Sequence, residues 1–222
     1  TNRTVYVGAH VSASGGVNNA PATAGEIGAT ALSLFTRNQR RWTSKPYDDE
    51  TIAAFHAAMK EHGYTADHAI PHASYLVNLG SPDEEVRRKS IEGLSDELNR
   101  TVQLGLRWLN FHPGTSKGEL DEDATLRRIA EGMDRVLEQV DGGVLVLENT
   151  AGQGSSMGAQ LEQLARIIGN VNDPDRVAVC IDTCHAYAAG YDIRDGAGWN
   201  ALMQEATDTF GLEKLVALHR ND

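Results

Sequence analysis

Residues able to hold a cation recur at the ends of apolar runs in this chain: His72, His112, Glu148, Asp182, His185 and His219. His72 follows Pro71, His112 lies in Phe111-His112-Pro113-Gly114, and Glu148 lies in Leu147-Glu148-Asn149-Thr150. Asp182 and His185 share Ile181-Asp182-Thr183-Cys184-His185, and His219 follows Leu218. Imidazole with carboxylate is the ligand set of zinc, shared with manganese and iron. A lone histidine near a strand end is more often a core or surface residue. The recurrence at separate run ends is what carries the inference. Two carboxylates gathered beside several imidazoles without a cation would suffer desolvation and repulsion. The candidates outnumber the ~4 ligands of one structural zinc, which points to more than one ion. A carboxylate bridging two ions ~3.5–4 Å apart is the arrangement used on phosphate esters, and Glu148, on a central run, is the natural bridge. His10, at the end of the first run, is read as supporting the site from behind the ligands.

The elements that must position these residues form a repeating unit: a short apolar β-branched run, a loop, then an amphipathic helix. The runs are Val5–Val11, Ala31–Thr36, His68–Ala73, Trp108–His112, Val144–Thr150, Val177–Thr183 and Leu215–His219. Their spacing matches βα units closed by right-handed crossovers. Ser81-Pro82-Asp83-Glu84 reads as a helix start with Ser81 as cap and Pro82 in the first turn. Val86, Ile91, Leu94, Leu98 and Val102 then repeat near the helical period, as do Leu126, Ile129, Met133, Val136 and Val140, and Leu161, Leu164 and Ile168. Strands apolar on both faces between such helices predict an α/β fold with a helix-covered parallel sheet. A TIM barrel is expected, as one domain over residues 1–222, with seven of eight βα units present and the eighth strand past the end. The expected explanation is a C-terminally shortened chain, with a strand supplied by a partner chain as the second choice. In such barrels the strand C-termini form the active mouth.

At these residues the sequence resembles the endonuclease IV family of apurinic/apyrimidinic endonucleases. The motifs are Gly8-Ala9-His10-Val11-Ser12 with Gly15-Gly16; Phe35-Thr36-Arg37-Asn38-Gln39-Arg40; His72-Ala73-Ser74-Tyr75-Leu76-Val77-Asn78-Leu79; Asn110-Phe111-His112-Pro113-Gly114; Leu147 to Gly154; and Cys180-Ile181-Asp182-Thr183-Cys184-His185-Ala186. The resemblance implies a TIM barrel with up to three zinc ions, manganese being the alternative metal. It implies that His72, His112 and Glu148 hold the first ion, that Glu148, Asp182 and His219 hold the second, and that His185 serves the third. The family's remaining ligands come from later segments, and Asp222 matches none of them. The implied reaction, with Glu148 as catalytic bridge, is hydrolysis of the phosphodiester 5′ to an abasic site in double-stranded DNA. Arg40, Tyr75 and Leu76 match positions that invade the base stack when the damaged nucleotide is flipped out. From the residues alone, Tyr75 and Leu76 could equally pack under a helix, and Arg40 could be a solvated charge. Gly152-Gln153-Gly154-Ser155-Ser156 could cradle a phosphate or be a flexible βα loop.

The chain has 222 residues, 41% hydrophobic and 23% charged, with a formal net charge of -11. That charge opposes a broad basic DNA-binding face and leaves local clusters such as Arg37, Arg40 and Arg41 to meet phosphates. Cys180 and Cys184 are too few for a disulfide scaffold and are read as buried reduced thiols. No apolar run approaches the ~18 residues of a membrane span. The start, Thr1-Asn2-Arg3-Thr4-Val5-Tyr6, has no signal-peptide core, so a cytoplasmic address is expected. A monomer without membrane contact is expected as well. His56 and His62 fall in or near a helix, His68 opens a strand, and none is given a role. Two other functions compete with DNA repair: a sugar isomerase or epimerase on the same barrel type, and an inactive fragment with partial metal binding.

Overall fold

The computed structural model describes residues 4–220. Parallel strands alternate with helices through the chain: β1 (Gly8–His10), α1 (Asn19–Glu26), β2 (Ala31–Ser33), α2 (Asp49–Glu61), α3 (Glu84–Gln103), β3 (Trp108–Phe111), α4 (Glu122–Gln139), β4 (Val144–Glu148), α5 (Leu161–Asn170), β5 (Val177–Asp182), α6 (Thr183–Ala188), α7 (Gly196–Thr209) and β6 (Leu215–His219). β1 pairs with β2, and β3 to β6 form a second ladder in chain order. Residues 69–72 join the two through single bridges, Leu32 to Ala69 and His72 to Asn110. The strands therefore form one arc in sequence order, as a (β/α) barrel requires.

β4 and β5 are buried along their whole length because both faces are covered. On the inner face Val144, Val146, Ala178 and Cys180 pack with Ile70, Trp108, Val216 and Ala217. On the outer face Leu145, Leu147, Val179 and Ile181 meet helix residues such as Leu94, Leu98, Ile129, Met133, Leu164 and Ile167. The two-residue period of a strand then aims the next inward side chain at the mouth. After Ile70 comes His72, after Asn110 comes His112, after Val146 comes Glu148, and after Cys180 comes Asp182.

β6 reaches the same face by a different route. Val179 pairs with Leu215, but Cys180 pairs with Ala217, so the register skips a residue there. The irregularity turns both Val216 and Ala217 toward the inner cluster and restores His219 to the mouth opposite Asp182. Without it, the unbroken alternation would turn His219 away from the mouth.

Several expectations need correction. The third run forms isolated bridges rather than a strand, and His68 ends a short 3-10 turn, Ala66–His68, where its ring nitrogen accepts from the Thr65 amide at 2.7 Å. β1 is shorter than Val5–Val11, with Val5 and Val7 exposed, because its outer edge is open. The cap of α3 is Asp83, which accepts from the Glu85 and Val86 amides at 2.9 and 3.0 Å; Ser81 holds only the Asp83 amide, and Pro82 precedes the helix. Cys180 is buried as expected, but Cys184 is exposed, because it lies in the first turn of α6. Arg37 does not join a surface basic cluster: it is buried against Glu97, leaving Arg40 and Arg41 exposed. Among the described residues no helix is long and apolar enough to cross a membrane. Asp222 lies outside the described residues.

Candidate metal centre

Glu148 is the hub of the mouth. Its carboxylate is 1% exposed and receives imidazoles from four directions. Oε1 lies 3.4 Å from His112 Nε2 and 3.3 Å from His185 Nδ1; Oε2 lies 3.4 Å from His72 Nε2 and 3.1 Å from His219 Nδ1. Each carboxylate oxygen thus faces its own pair of histidines, the disposition of a bridging carboxylate. The separations are longer than the ~2.7–2.9 Å of a charged N–H···O bond. They match the roughly 3.3 Å between two ligand atoms that share a tetrahedral ion at ~2.0–2.1 Å.

The electrostatics agree. Burial alone would push Glu148 upward, yet the imidazoles of His112, His185, His219 and His72 beside it hold it well below the usual carboxylate range. His185 is raised by the adjacent Glu148 carboxylate against the cost of burial. For His219 burial acts downward, and Glu148 and Asp182 more than offset it, so its value also rises. His10 shows the opposite behaviour. Its ring lies 4.5 Å from Phe35, and desolvation followed by the nearby His72 and His219 lowers it to about 4. Its residue is exposed at the end of β1, with Nδ1 3.3 Å from Ser33 Oγ.

The surrounding backbone fixes the imidazoles. His72 Nδ1 lies 2.7 Å from the Ala73 carbonyl, and His185 Nδ1 lies 2.9 Å from the Asn149 carbonyl. For His72, a ring N–H donated to that carbonyl selects the tautomer that leaves Nε2, the nitrogen facing Glu148, free as a ligand. In His185 the same Nδ1 faces both the Asn149 carbonyl and Glu148 Oε1, so the carbonyl orients the ring. Asn149 does more. Its side-chain oxygen accepts from the Asp182 amide at 2.6 Å, and its side-chain amide donates to the Asp182 carbonyl at 3.2 Å. Asp182 in turn caps α6 by accepting from the His185 amide at 2.9 Å. Asn110, fully buried on β3, donates to Glu148 Oε2. Reading run ends for imidazole and acid passes over both asparagines. The signal is present, since each sits beside or two residues before a candidate ligand on an apolar strand.

Three groups of donor atoms lie close enough to share an ion: His72 with His112 and Glu148; Glu148 with Asp182 and His185; and Glu148 with Cys180 and His219. The first reproduces the trio that the resemblance implies. The others pair Asp182 with His185 and His219 with Cys180, where the resemblance pairs Asp182 with His219. Cys180 is a further donor that the sequence alone does not single out; burial pushes its thiol well up. His219 Nε2 is buried with no hydrogen-bond partner among the described residues. An orphaned imidazole nitrogen, a buried anionic hub and donors at ligand spacing fit divalent cations.

Above the donors stands Tyr75. Its ring centroid lies 5.1 Å from that of His72 and 5.6 Å from that of His112, yet the residue is 62% exposed. It therefore does not pack under a helix. Leu76 beside it is half-buried and Arg40 is exposed. The Gly152–Ser156 loop is tied down: Ser155 Oγ meets Thr115 Oγ1 at 2.8 Å and Thr115 bridges to Ser156. Gly114 makes room for Asn78, whose side chain accepts from the Thr115 amide at 2.8 Å. Its φ is 121°, and a Cβ there would lie 2.3 Å from Asn78 Oδ1.

An arc of parallel strands with imidazoles and acids converging at its C-terminal mouth defines a metal-binding enzyme of the TIM-barrel class, and residues 21–222 match the xylose isomerase-like TIM barrel family. A protein named "probable endonuclease 4" from Campylobacter concisus is 48% identical over 217 residues, spanning 98% of this chain and 77% of that protein. Its namesake from Campylobacter curvus matches at the same identity and coverage. The crystal structure of endonuclease IV from Thermus thermophilus superposes with a TM-score of 0.82 at 34% identity, covering 95% of this chain and 74% of that one. The chain belongs to the endonuclease IV family within these barrels. A 3-keto-D-glucoside 4-epimerase from E. coli shares the fold, with a TM-score of 0.69 at 19% identity.

Proposed function

We propose that this chain is a zinc-dependent endonuclease that hydrolyses double-stranded DNA on the 5′ side of abasic sites, as part of base excision repair. The observation that carries the reading is Glu148 offering one oxygen to His112 and His185 and the other to His72 and His219, beneath an exposed Tyr75. Kinship with proteins named endonuclease 4 and endonuclease IV supports the same conclusion.

In this reading His72, His112, Glu148, Asp182, His185 and His219 hold zinc, with Cys180 as a reserve donor beneath them. Bound zinc supplies water activation at neutral pH and charge neutralisation at the phosphate. The chain's own residues do the rest. Glu148 stays ionised because of the imidazoles around it, so no proton must leave it before metal binds. The Ala73 carbonyl fixes the His72 tautomer, and the Asn149 carbonyl orients the His185 ring. Asn149 keeps Asp182 in place through its backbone, and Asn110 turns the Glu148 carboxylate. Tyr75, Leu76 and Arg40 enter the gap left by the absent base and offset the lost stacking, which is cheapest to open where a base is already missing. The protein acts as a cytoplasmic monomer built on one barrel domain.

An epimerase would use a similar donor set on the same fold. The exposed aromatic ring at the rim favours a duplex over a small sugar. The deciding assay is cleavage of a duplex with one synthetic abasic site, after zinc loading and without magnesium. The expected product is a single nick 5′ to the site bearing a 3′-hydroxyl. Turnover of a ketose, or a nick that requires magnesium alone, would overturn the proposal.

A further inference from the structure

We infer that the buried Arg37–Glu97 ion pair is a positioning device that fixes the two mouth loops carrying Arg40 and Tyr75–Leu76 in one shared arrangement on α3. The inference rests on the DNA-contact reading above and deepens it.

Arg37 and Glu97 are 7% and 1% exposed, and Arg37 Nη2 meets Glu97 Oε1 at 2.7 Å. A buried pair of this kind is a weak stabiliser, because desolvation offsets most of its Coulomb gain and apolar replacements often stabilise more. Its hydrogen bonds show what it holds. Glu97 accepts the Ser74 amide on both oxygens at 3.1 Å, immediately before Tyr75. Arg37 donates to the Arg41 carbonyl, closing the turn that displays Arg40. The loops are then joined directly: Ser74 Oγ donates to the Gln39 carbonyl at 2.6 Å and accepts from the Leu76 amide at 3.2 Å. Every contact is made by groups flanking the exposed residues, which leaves Arg40 and Tyr75 themselves facing outward.

Gly93 is an independent sign that the loop is meant to lie on the helix. It sits inside α3, where glycine is a poor helix former compared with alanine. A Cβ there would come within 3.0 Å of Arg37 Nη2 and 3.6 Å of the Trp42 ring. Helix propensity is given up where the guanidinium and the indole press against the backbone. Burial raises Glu97 and Arg37 opposes the rise, so the carboxylate depends on its partner.

The test compares wild type, Glu97→Gln and the apolar double variant Arg37→Met with Glu97→Leu, each zinc-loaded. The double variant refills the buried volume, so it serves as a folded comparison if Glu97→Gln melts early. Amide exchange at Ser74 and Leu76 reads loop order without DNA. Fluorescence anisotropy with a duplex bearing a tetrahydrofuran abasic analogue, against the undamaged duplex, reads its consequence. Expected in both variants are at least about tenfold faster exchange and a roughly tenfold higher Kd for the abasic duplex, with a smaller change for the undamaged one. In the double variant the affinity loss should persist although thermal stability recovers, which a merely structural role does not produce. Wild-type exchange or wild-type affinity in the double variant would overturn the inference. Tyr75→Ala, run in parallel, separates the two ideas: if it binds the abasic duplex normally, the DNA-contact reading has failed; if it binds weakly while the pair variants bind normally, only the positioning role has failed.

Discussion

Glu148 is buried, anionic and surrounded by imidazoles, so at the scale of single residues it dominates the account. Replacing its carboxylate by an amide keeps the shape but leaves one lone acceptor oxygen and an N–H₂ pointing at histidines. Glu148→Gln should lower zinc affinity by at least about a hundredfold and take nicking below detection, while the far-ultraviolet spectrum stays that of wild type. Competition with a chromophoric chelator gives the affinity, and retained affinity would remove Glu148 from the bridge. The gathering of these imidazoles and acids was legible in the sequence because both recur where apolar runs stop. Asn110, Asn149 and Cys180 were not, since their chemistry depends on the partner across the strand. An asparagine becomes a positioning group only when a backbone such as that of Asp182 lies opposite it.

Among the elements, the helices could be read from period and the parallel arc from the repeating unit. What alternation cannot reveal is a register skip. The shift between Val179 and Cys180 decides whether His219 faces the mouth, and nothing in Leu215-Val216-Ala217-Leu218-His219 marks it. The weak third strand escapes the pattern for a related reason: Pro71 has no amide to donate, so residues 69–73 make single bridges where a ladder is expected. Sequence places the cap of α3 two residues early because Ser81 and Asp83 are both capping types and only geometry separates them. Asp83→Ala should therefore lower the melting temperature by about 2–4 °C. Ser81→Ala should do less, since Ser81 holds only one amide outside the helix. Equal losses in the two variants would return the cap to Ser81.

For the molecule as a whole, the mouth gathers several imidazoles around anionic carboxylates, and this makes stability depend on both pH and metal. His185 and His219 have folded values raised above 6.5, so their contribution is complete below pH 6.5 and is lost as pH rises through the folded values. His10, lowered to about 4, acts only between about 4 and 6.5, outside that window. Metal-free protein should thus melt lower at pH 8 than at pH 6.5, and the fall should shrink in Glu148→Gln. Zinc binds deprotonated imidazole, so its stabilising increment should be larger at pH 8 than at pH 6.5. Melting curves in chelator and in zinc check both slopes, and a metal-free melting temperature that rises toward pH 8 would contradict the sign. The net charge of -11 belongs to this scale too, because cations held at the mouth would reduce it where the proposed DNA substrate would approach.

Cations shared at the mouth would be observed directly by anomalous diffraction from zinc-soaked crystals, recorded either side of the zinc absorption edge. At least one peak is expected about 2.0–2.2 Å from His72 Nε2, His112 Nε2 and a Glu148 oxygen, with a second peak about 3.5–4 Å away on the other Glu148 oxygen. A map with no zinc peak touching Glu148, from crystals that hold zinc elsewhere, would contradict that sharing.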